Sequence, residues 1–576
     1  MTETHQDPIL TVDGLRIAFE DKERRTVAVD GISFAVRRGE TLCIVGESGS
    51  GKSVTALAIL RLVELAGGRV EGGRILFAEA ADTPPLDLVG ADRDTLRGLR
   101  GRAISMVFQE PMSSLNPAHT VGDQIAEVIR VHERVGRAEA RDRALSLLER
   151  VRLPDAGRRA NAYPHELSGG MQQRVMIAMA LACKPALLIA DEPTTALDVT
   201  IQAGILDLIG ELKAETGMSV LFITHDMGVV AELADRVVVM RGGKIVEENA
   251  VGPLFDAPRH PYTAKLLAAA TMAGSRRPAT ARAAGGGTGP GSERPGSAPL
   301  VEIRDLVTQY PLKSGGLRRA KDYFRAVDSV SLDIRAGEIL AIVGESGSGK
   351  STLGKSILRL VEPASGQIRL AGTSLLDLKN EELRRVRRHM QMVFQDPFGS
   401  LNPRRTAFSQ IAEPLVVHGV AKGRDLADRV EGLARRVGIP TDQLARYPHA
   451  FSGGQRQRLC IARALALSPK LIVADEAVSA LDASIRAQVL DLMLELQREM
   501  GLTYLFISHD IGVVRQISDR IGVMYRGKLV ELGETETVCS APAHAYTQTL
   551  LNAVPVVDPA AGRRNRHNDP AADMVA

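Results

Sequence analysis

An eight-residue segment rich in glycine, with a lysine and a serine at its end, occurs twice in this 576-residue chain. The first copy is Gly46-Glu47-Ser48-Gly49-Ser50-Gly51-Lys52-Ser53, and the second, with identical letters, is Gly344-Glu345-Ser346-Gly347-Ser348-Gly349-Lys350-Ser351. Residues of these types at this spacing can cradle phosphate. The glycines admit phosphate oxygens to backbone N–H groups, the lysine neutralises the β- and γ-oxygens, and the serine hydroxyl ligates Mg²⁺. The sequence therefore predicts two sites for a nucleoside triphosphate.

The residues around each glycine-rich segment predict the elements that position it. Apolar, β-branched runs precede the two copies at 41–45 and 339–343, and helical patterns follow them. A strand, a loop and a helix in this order are the context that a phosphate-binding loop needs, because the helix N-terminus adds partial positive charge. A glycine-rich turn without a ligand would explain one degenerate match, but two matches in the same context disfavour it.

The repeat extends far beyond these loops. Three later groups recur at a constant offset of 284: Ser168-Gly169-Gly170 as Ser452-Gly453-Gly454, Asp191-Glu192 as Asp475-Glu476, and His225 as His509. Before these groups the first copy is longer, with 63 positions from Gly46 to Gln109 against 51 from Gly344 to Gln395. An insertion that leaves the later spacing intact predicts a surface loop, and we place it near 79–85.

Both Ser-Gly-Gly segments predict a second phosphate cradle. Each segment opens a long helical pattern and has no bulky side chain to keep an anion away. Bare N–H groups at a helix N-terminus favour a bound anion, so this cradle needs no lysine. A glycine-rich helix start without a ligand is the alternative, and the duplication disfavours it.

Together these motifs resemble the ATP-binding-cassette ATPases over nearly the whole chain. A phosphate-binding loop alone would also admit kinases, GTPases and helicases, whereas the Ser-Gly-Gly segment separates this family from them. The resemblance implies an α/β fold of two tandem domains, each with a RecA-like mixed-sheet core, an antiparallel β part and a helical subdomain that carries the Ser-Gly-Gly signature. It also implies two ATP molecules held head to tail, with Ser452-Gly453-Gly454 closing over ATP on Lys52 and Ser168-Gly169-Gly170 over ATP on Lys350.

Carboxylates at predicted strand ends indicate a metal site beside each loop. Asp191 and Asp475 end apolar strands, where a carboxylate among phosphates is tolerable only beside a cation. We predict that these aspartates hold Mg²⁺ through water, while the hydroxyls of the loop serines Ser53 and Ser351 ligate it. Two glutamines, each after a Met-Val-Phe run, can ligate the metal or water through the amide oxygen without adding charge; they are Gln109 and Gln395.

The residues beside these carboxylates predict the hydrolytic groups. Glu192 and Glu476 are the predicted general bases that polarise the attacking water. His225 and His509 are predicted to donate to the γ-phosphate and orient that water. A single histidine at a strand end is commonly structural, but the repeated placement and the family resemblance favour a catalytic role. Since both copies keep these groups, we expect two hydrolytically competent sites.

One aromatic residue upstream of each loop is predicted to stack on adenine. Aligning 15–19 with 306–310 nominates Phe19 and Tyr310. The second copy carries an insertion after Tyr310 that includes Tyr323-Phe324, and an aromatic side chain on an alternating strand is about as often a core residue. Both interpretations stay open.

Length and composition divide the chain into domains. At 576 residues it is too long for one core. Residues 273–298 contain no large apolar side chain and consist mostly of Gly, Ala, Arg, Pro and Ser, which predicts a flexible linker. We therefore predict a first nucleotide-binding domain at 1–272, a second at 299–558, and a disordered tail at 559–576.

Charge, cysteine spacing and hydropathy argue against several classes. The net charge of +3, from 72 basic and 69 acidic residues, is too balanced to demand nucleic acid. The four cysteines show no C-x-x-C spacing, so no zinc or iron–sulfur site is implied. No apolar stretch approaches the length of a membrane span and no secretory leader is apparent, so we expect a cytoplasmic chain that does not itself span the membrane.

The residues that follow the two glutamines resemble one particular group within this family. The segments 109–117 and 395–404, together with His260-Pro261-Tyr262, are similar to the oligopeptide/dipeptide/nickel/glutathione import ATPases, and the fused pair resembles double-cassette subunits of that group. The resemblance implies an ATP-hydrolysing motor for import of short peptides, in which the two cassettes form an intramolecular heterodimer. Loops of two separate transmembrane permeases would hold it at the cytoplasmic face of the inner membrane, and an extracytoplasmic binding protein would deliver the solute.

Two other classes remain as alternatives. An exporter motor would have the same motifs because the permeases set the direction of transport, and uptake against efflux in vesicles of known orientation would separate the two. A soluble twin cassette acting on ribosomes or DNA is disfavoured by the linker composition and the absence of zinc-type cysteine pairs. The solute stays open, because such an ATPase does not touch it.

Overall fold

A computed structural model of the chain describes residues 7–21, 24–194, 197–274, 299–311, 323–479 and 481–560. The chain forms two compact units, the first mainly up to Ala270 and the second mainly from Thr271 to Val554. The predicted linker at 273–298 lies outside the described residues except for its first two positions, which belong to a helix rather than to a linker. The predicted tail lies outside them from residue 561 onward.

The strands of the first unit are β1 (Pro8–Asp21), β2 (Arg24–Arg37), β3 (Thr41–Val45), β4 (Gly68–Phe77), β5 (Leu86–Asp87), β6 (Ile104–Val107), β7 (Leu187–Asp191), β8 (Ser219–Thr224), β9 (Arg236–Arg241) and β10 (Lys244–Ala250). Its helices are α1 (Lys52–Ile59), α2 (Arg93–Leu99), α3 (Pro111–Ser114), α4 (Val121–Glu133), α5 (Arg137–Arg150), α6 (Ala156–Arg159), α7 (Gly169–Leu181), α8 (Val199–Thr216), α9 (Met227–Leu233), α10 (Val251–Asp256) and α11 (Pro261–Gly274).

The strands of the second unit are β11 (Val301–Pro311), β12 (Tyr323–Ile334), β13 (Ile339–Val343), β14 (Ser365–Leu370), β15 (Thr373–Ser374), β16 (Met390–Val393), β17 (Leu471–Asp475), β18 (Thr503–Ile507), β19 (Arg520–Tyr525) and β20 (Lys528–Glu534). Its helices are α12 (Lys350–Ile357), α13 (Asn380–Val386), α14 (Pro397–Ser400), α15 (Ala407–Val417), α16 (Gly423–Arg436), α17 (Gly453–Leu465), α18 (Ala483–Met500), α19 (Ile511–Ile517), α20 (Thr535–Ser540) and α21 (Ala545–Asn552).

Each unit contains the same two sheets. In the first unit an antiparallel sheet has the order β2-β1-β4-β5, and a mixed sheet has the order β10-β9-β3-β8-β7-β6. In the mixed sheet β10 pairs antiparallel with β9, whereas the other neighbours pair in parallel. The second unit repeats this arrangement with β12-β11-β14-β15 and β16-β17-β18-β13-β19-β20. The predicted α/β fold, with a mixed-sheet core and an antiparallel part, is confirmed.

Strand β3, which leads into the first glycine-rich loop, is buried over its whole length. Its alternating side chains enter two different cores: Leu42 and Ile44 pack into one hydrophobic cluster, and Cys43 and Val45 into another. Successive side chains of a strand point to opposite faces, so both faces of this sheet are covered and the strand reads as a continuous apolar run. The strand therefore fixes the start of the loop from both sides.

A helical subdomain lies between β6 and β7 in the chain. Helices α4, α5 and α7 pack on one another there, with Ile125, Ile129 and Leu148 fully buried between them. The N-terminus of α7 carries the first Ser-Gly-Gly segment, and in the second unit α15, α16 and α17 form the same arrangement. The predicted helical signature subdomain is thus present in both units.

The extra residues of the first unit lie in two places. Residues 78–85 join β4 to β5, whereas 371–372 alone join β14 to β15. Strand β4 itself has 10 residues against 6 in β14. The surface loop expected near 79–85 therefore holds only part of the insertion, and a longer strand pair accommodates much of the rest.

A buried ion pair fastens the edge of the first mixed sheet. The Glu40 carboxylate, 7% exposed, accepts hydrogen bonds from the Arg37 backbone N–H at 2.7 Å and from Arg236 Nη1 at 2.8 and 3.0 Å. Arg236 also contacts Glu248. This network joins the turn before β3 to the start of β9, on the sheet edge opposite the glycine-rich loop.

Replacing Glu40 with alanine is expected to destabilise the first unit by about 2 kcal/mol or more, because Arg236 loses its buried partner. Differential scanning calorimetry of the full chain would show a lower transition temperature. Glu381→Ala is the control, since that side chain is 79% exposed and pairs with Arg385 on the surface of α13, where a loss within roughly 1 kcal/mol is expected. Equal shifts in the two variants would contradict this account.

Candidate functional site

The predicted functional groups of each unit meet at one edge of its mixed sheet. In the first unit the glycine-rich loop follows β3, Asp191 ends β7, and His225 follows β8. Gln109 comes shortly after β6, the next strand of the sheet. Because these strands are parallel, their carboxyl ends lie together, and that edge is where open α/β sheets bind ligands.

The lysine of each loop is buried and closes the loop over its own backbone. Lys52 Nζ donates to the carbonyl oxygens of Gly46 and Glu47 at 2.8 and 2.9 Å. Lys350 Nζ makes the same bonds in the second unit, at 2.7 and 2.8 Å. Burial lowers the pKa of Lys350, because a buried ammonium group is costly to keep charged. An anion beside it would offset that cost. A buried cation in this place suits a phosphate oxygen.

Two glycines of each loop occupy positions that no other residue fits. Gly344 has φ +148°, and a Cβ there would lie 2.2 Å from the carbonyl oxygen of Met524. Gly349 has φ +102°, and a Cβ there would lie 2.0 Å from the carbonyl oxygen of Ala326. The loop is therefore pressed against backbone on two sides, and its shape depends on bare Cα atoms.

A serine and an aspartate meet beside each loop. Ser53 Oγ donates to Asp191 Oδ1 at 2.9 Å, and Ser351 Oγ donates to Asp475 Oδ1 at 2.7 Å. Burial raises the pKa of Asp191 to about 6, against the smaller opposite effect of its bond with Ser53, and burial raises the pKa of Asp475 as well. Each carboxylate is costly to keep charged in this position unless a cation comes close.

The glutamate of each unit receives two donors on one oxygen. In the second unit Glu476 Oε2 accepts from Gln395 Nε2 at 2.7 Å and lies 3.5 Å from His509 Nδ1. In the first unit Glu192 Oε2 lies 3.3 Å from both Gln109 Nε2 and His225 Nδ1. The glutamine, glutamate and histidine singled out from the sequence are thus in contact.

This contact sets the charge of the pair. Burial alone would raise the pKa of Glu476, but the hydrogen bond with His509 holds that pKa below its ordinary value. Burial alone would lower the pKa of His509, and the same bond raises it instead. The carboxylate therefore stays ionised, which is the state that a general base requires.

Both glutamates have a left-handed backbone that the sequence did not reveal. Glu192 has φ 45° and Glu476 has φ 46°, values that are uncommon for residues other than glycine. Their N–H groups donate to the carbonyl oxygens of Ile223 and Ile507, each at 2.9 Å. The turn takes each glutamate out of the strand that its aspartate neighbour ends, which lets adjacent carboxylates serve different purposes.

The Ser-Gly-Gly segments lie at the N-termini of α7 and α17. Their second glycine is required by packing, because a Cβ on Gly170 would lie 2.8 Å from Ile201 and one on Gly454 would lie 2.4 Å from Ile485. Packing does not require the first glycine of the first segment, because a Cβ on Gly169 would have no neighbour within 4 Å. Internal packing does not explain why that position is bare.

The two predicted adenine-stacking residues differ in their surroundings. Phe19, on β1, is half-buried, packs on the hydrophobic core and crowds Gly68, whose added Cβ would lie 2.9 Å from the Phe19 ring. Tyr310, on β11, is 39% exposed and pairs across the sheet with Phe324. Tyr310 is thus partly open to solvent, whereas Phe19 packs against the core.

One residue of each site was missed. From the sequence, His260-Pro261-Tyr262 indicated only a family resemblance, yet the Tyr262 hydroxyl accepts a hydrogen bond from the Glu47 N–H at 3.0 Å. Tyr546 does the same with Glu345 at 3.1 Å. The available signal was that this tyrosine also recurs at the offset of 284.

The fold and the duplicated site define a phosphate-loop ATPase with two nucleotide cassettes. Comparison with known families gives the same class: the family described as "ABC transporter" matches residues 29–195 and 327–479. A second family, described as "Oligopeptide/dipeptide transporter, C-terminal region", matches 246–293 and 530–574. The chain belongs to the ABC transporter family and is an ATPase of that family, with ATP as its nucleotide.

Close relatives match across nearly the full length. Glutathione import ATP-binding protein GsiA of Pectobacterium atrosepticum is 53% identical over 569 residues, covering 97% of this chain and 91% of that protein. The protein of the same name from Escherichia coli is 52% identical with the same coverage. A solved dimeric cassette in a post-hydrolysis state with ADP and Pi is 31% identical and covers 41% of this chain and 99% of that one, with a TM-score of 0.37.

Among the described residues, no helix combines the length and the apolar character needed to cross a bilayer.

Gly344→Ala is expected to weaken ATP binding by the second cassette roughly tenfold or more, because the new methyl group would meet the Met524 carbonyl oxygen. Equilibrium binding of ATP would be measured in a chain that also carries Lys52→Ala, so that the first cassette contributes little. The control is Gly432→Ala on α16, where an added Cβ has no neighbour within 4 Å and binding should not change. Unaltered affinity in Gly344→Ala would refute the steric account.

Proposed function

We propose that this chain is the ATP-hydrolysing motor subunit of an importer for short peptides of the dipeptide, oligopeptide and glutathione class. The carrying observation is the identity of 52–53% across 97% of the chain with proteins named for glutathione import. The oligopeptide/dipeptide region that follows each cassette supports the same class. In this proposal the chain works with two transmembrane permeases and an extracytoplasmic solute-binding protein, and contacts the inner membrane from the cytoplasmic side only through the permeases.

Mg²⁺ is part of the proposal, and the residues fit it. Ser53, Asp191 and Gln109 offer a hydroxyl, a carboxylate and an amide oxygen, the hard oxygen donors that Mg²⁺ prefers. Gln109 donates through its nitrogen to Glu192, so the amide oxygen is the atom left to face a metal. Ser351, Asp475 and Gln395 offer the same set in the second cassette. When bound, the metal would neutralise charge on the β- and γ-phosphates.

The same geometry supports a hydrolytic mechanism in each cassette. We propose that Glu192 takes a proton from water as the water oxygen bonds to the γ-phosphorus and the bond to the β–γ bridging oxygen breaks, which releases ADP. His225, in contact with that glutamate, orients the water and donates to the γ-phosphate. Glu476 and His509 have these functions in the second cassette.

The Ser-Gly-Gly segments are proposed to close over the ATP of the opposite cassette, as the family resemblance implies. The unexplained bareness of Gly169 supports a ligand contact there, because no internal neighbour occupies the space of its missing side chain. An N–H group at the start of a 13-residue helix is a suitable donor for a γ-phosphate. Closure on ATP and separation after hydrolysis would make the two cassettes a motor.

Each cassette exposes apolar side chains beside its glutamine. Met112 on α3 is 59% exposed and Phe398 on α14 is 54% exposed, although both helices pack on the helix that carries the signature. Tyr163 and Tyr447 are 41% and 45% exposed. Exposed apolar groups of this size favour a protein partner, and we propose that a permease loop covers them.

In the second cassette an arginine contacts two parts of this exposed surface. The Arg456 guanidinium lies 4.9 Å from the Phe398 ring centroid, and Arg456 Nε donates to the Pro448 carbonyl oxygen at 2.9 Å, next to Tyr447. Phe398 comes three residues after Gln395, which touches the glutamate base. A permease loop on this surface would therefore lie a few residues from the catalytic contact, which gives a short route from solute movement to hydrolysis.

Glu192→Gln and Glu476→Gln are each expected to lower the steady-state ATPase of the assembled complex to about half or less, because one of two sites loses its base. The double variant is expected to lose roughly 10²-fold. Nucleotide binding is the control and should persist, since glutamine keeps the size of the side chain. An unchanged rate in either single variant would contradict two competent sites.

Met112→Asp and Phe398→Asp are expected to abolish co-purification of permeases from detergent-solubilised membranes while leaving ATP binding intact, because a charge replaces an apolar contact. Mass spectrometry of proteins that co-elute with the tagged chain is the measurement. Leu65→Asp is the control, since Leu65 is 84% exposed and lies outside the helical subdomain. If the unsubstituted chain recovered ribosomal or DNA-repair proteins without permeases, the transporter assignment would be overturned.

Import itself is tested by transport. Cells that lack this chain are expected to lose uptake of labelled glutathione or of short peptides, and the Glu192→Gln, Glu476→Gln double variant should not restore it. A loss of efflux with uptake unaffected, in vesicles of known orientation, would replace the importer by an exporter.

A further inference from the structure

The C-terminal segment of each cassette reaches back to the phosphate-binding loop of the same cassette. The Tyr262 hydroxyl accepts a hydrogen bond from the backbone N–H of Glu47, the second residue of the first loop, at 3.0 Å. The Tyr546 hydroxyl accepts from the N–H of Glu345 in the second loop at 3.1 Å. In each case the two partners are more than 200 positions apart in sequence. The bond therefore ties the loop to the end of the cassette.

The first tyrosine is itself firmly held. Its own N–H donates to His260 Nδ1 at 3.1 Å, and the N–H groups of His260 and Arg259 donate to the buried Glu247 carboxylate at 3.0 and 2.9 Å. Since Glu247 belongs to β10, these bonds fix the start of α11 to the sheet. The second cassette repeats every one of these bonds with Glu531, Ala543, His544 and Tyr546.

The ring of each tyrosine contacts the last residue of the neighbouring strand. Arg241 lies with its guanidinium carbon 4.9 Å from the Tyr262 ring centroid, and the Tyr525 ring lies 4.2 Å from that of Tyr546. These residues come directly after Met240 and Met524, whose carbonyl oxygens limit the first glycine of each loop. The tyrosine thus spans the strand end and the loop at the place where the loop begins.

We propose that Tyr262 and Tyr546 are positioning residues for nucleotide binding. Each hydroxyl satisfies the N–H group of the second loop residue and so holds the loop in the shape that receives the β- and γ-phosphates. A loop that is held in its binding conformation before ATP arrives binds with less loss of conformational freedom. The C-terminal segment therefore sets the nucleotide affinity of the cassette on which it lies, and Tyr262 acts on the first site and Tyr546 on the second.

Tyr262→Phe removes only the hydroxyl. In a full-length chain that also carries Lys350→Ala, we expect the Kd of the first site for ATP to rise about fivefold, the size expected from one lost hydrogen bond. ADP should be weakened equally, because both nucleotides carry a β-phosphate, and AMP should not be affected. Displacement of trinitrophenyl-ATP is the measurement. Tyr546→Phe in a Lys52→Ala chain tests the second site in the same way.

Tyr504→Phe is the matched control. Tyr504 lies on β18 and is 1% exposed, and its hydroxyl has no hydrogen-bond partner among the described residues. The chemical change is the same but lies away from the loop, so the Kd for ATP should remain within about 1.5-fold of the parent value, as expected where no hydrogen bond is lost.

Hydrogen exchange separates positioning from a general loss of stability. Peptides covering 44–53 should exchange faster in Tyr262→Phe without nucleotide, while the thermal transition of the cassette stays in place. ATPase assays should show a KM raised about fivefold with kcat within about twofold, in line with a change in binding alone. Glu247→Gln, which weakens the support of His260 without touching the loop, should raise the Kd in the same direction by a smaller factor.

Two results would overturn the proposal. One is an ATP affinity and loop exchange in both tyrosine variants that equal those of Tyr504→Phe. The other is a fall in thermal stability with no selective change in phosphate-dependent affinity, which would assign the tyrosines to packing of α11 and α21 alone.

Discussion

The close approach of the phosphate-binding loop to the end of the neighbouring strand is the constraint on which each site depends. The first glycine of the loop lies so near the carbonyl oxygen of Met240, or of Met524 in the second cassette, that a single methyl group would not fit. This contact places the lysine, the serine and the bare N–H groups over the carboxyl edge of the sheet. The aspartate, glutamate, glutamine and histidine come from other strand ends of the same edge, so they meet the loop only while it keeps this position.

Within this frame, neighbouring acids acquire different properties. Asp191 continues its strand and is desolvated, which raises its pKa to about 6, whereas the next residue turns into the left-handed region. In the second cassette the corresponding glutamate has a histidine partner, which holds its pKa down despite burial. Two adjacent carboxylates are thereby divided between a position that favours a cation and a position that keeps an ionised base.

Much of the site could be predicted from the sequence, because the repeat contains each of its functional groups twice. The loops, both Asp-Glu pairs and the strands that lead into them follow from motif letters and from the apolar runs that precede them. The backbone turn at Glu192 was not predictable, since a left-handed φ at a residue other than glycine leaves no sign in the letters. Tyr262 was missed for a different reason: its contact with Glu47 joins distant parts of the chain, and only the folded β10 and α11 bring it there. Phe19 shows a third limit, because an aromatic residue on an alternating strand looks the same whether its ring faces a core or a ligand.

The burial of β3 on both faces has a mechanical consequence. Four of the five side chains of that strand, from Leu42 to Val45, pack into one of two cores, so the loop attached to it cannot tilt relative to the sheet without disturbing both. The helical subdomain leaves the sheet after β6 and returns at β7, through connections at 108–110 and 182–186, and its helices share one hydrophobic cluster with Cys43 and Val45. Any movement of the Ser-Gly-Gly segment relative to the loop would have to rearrange packing within that shared cluster, whereas the cluster around Leu42 and Ile44 contains no residue of 111–181 and would keep its contacts.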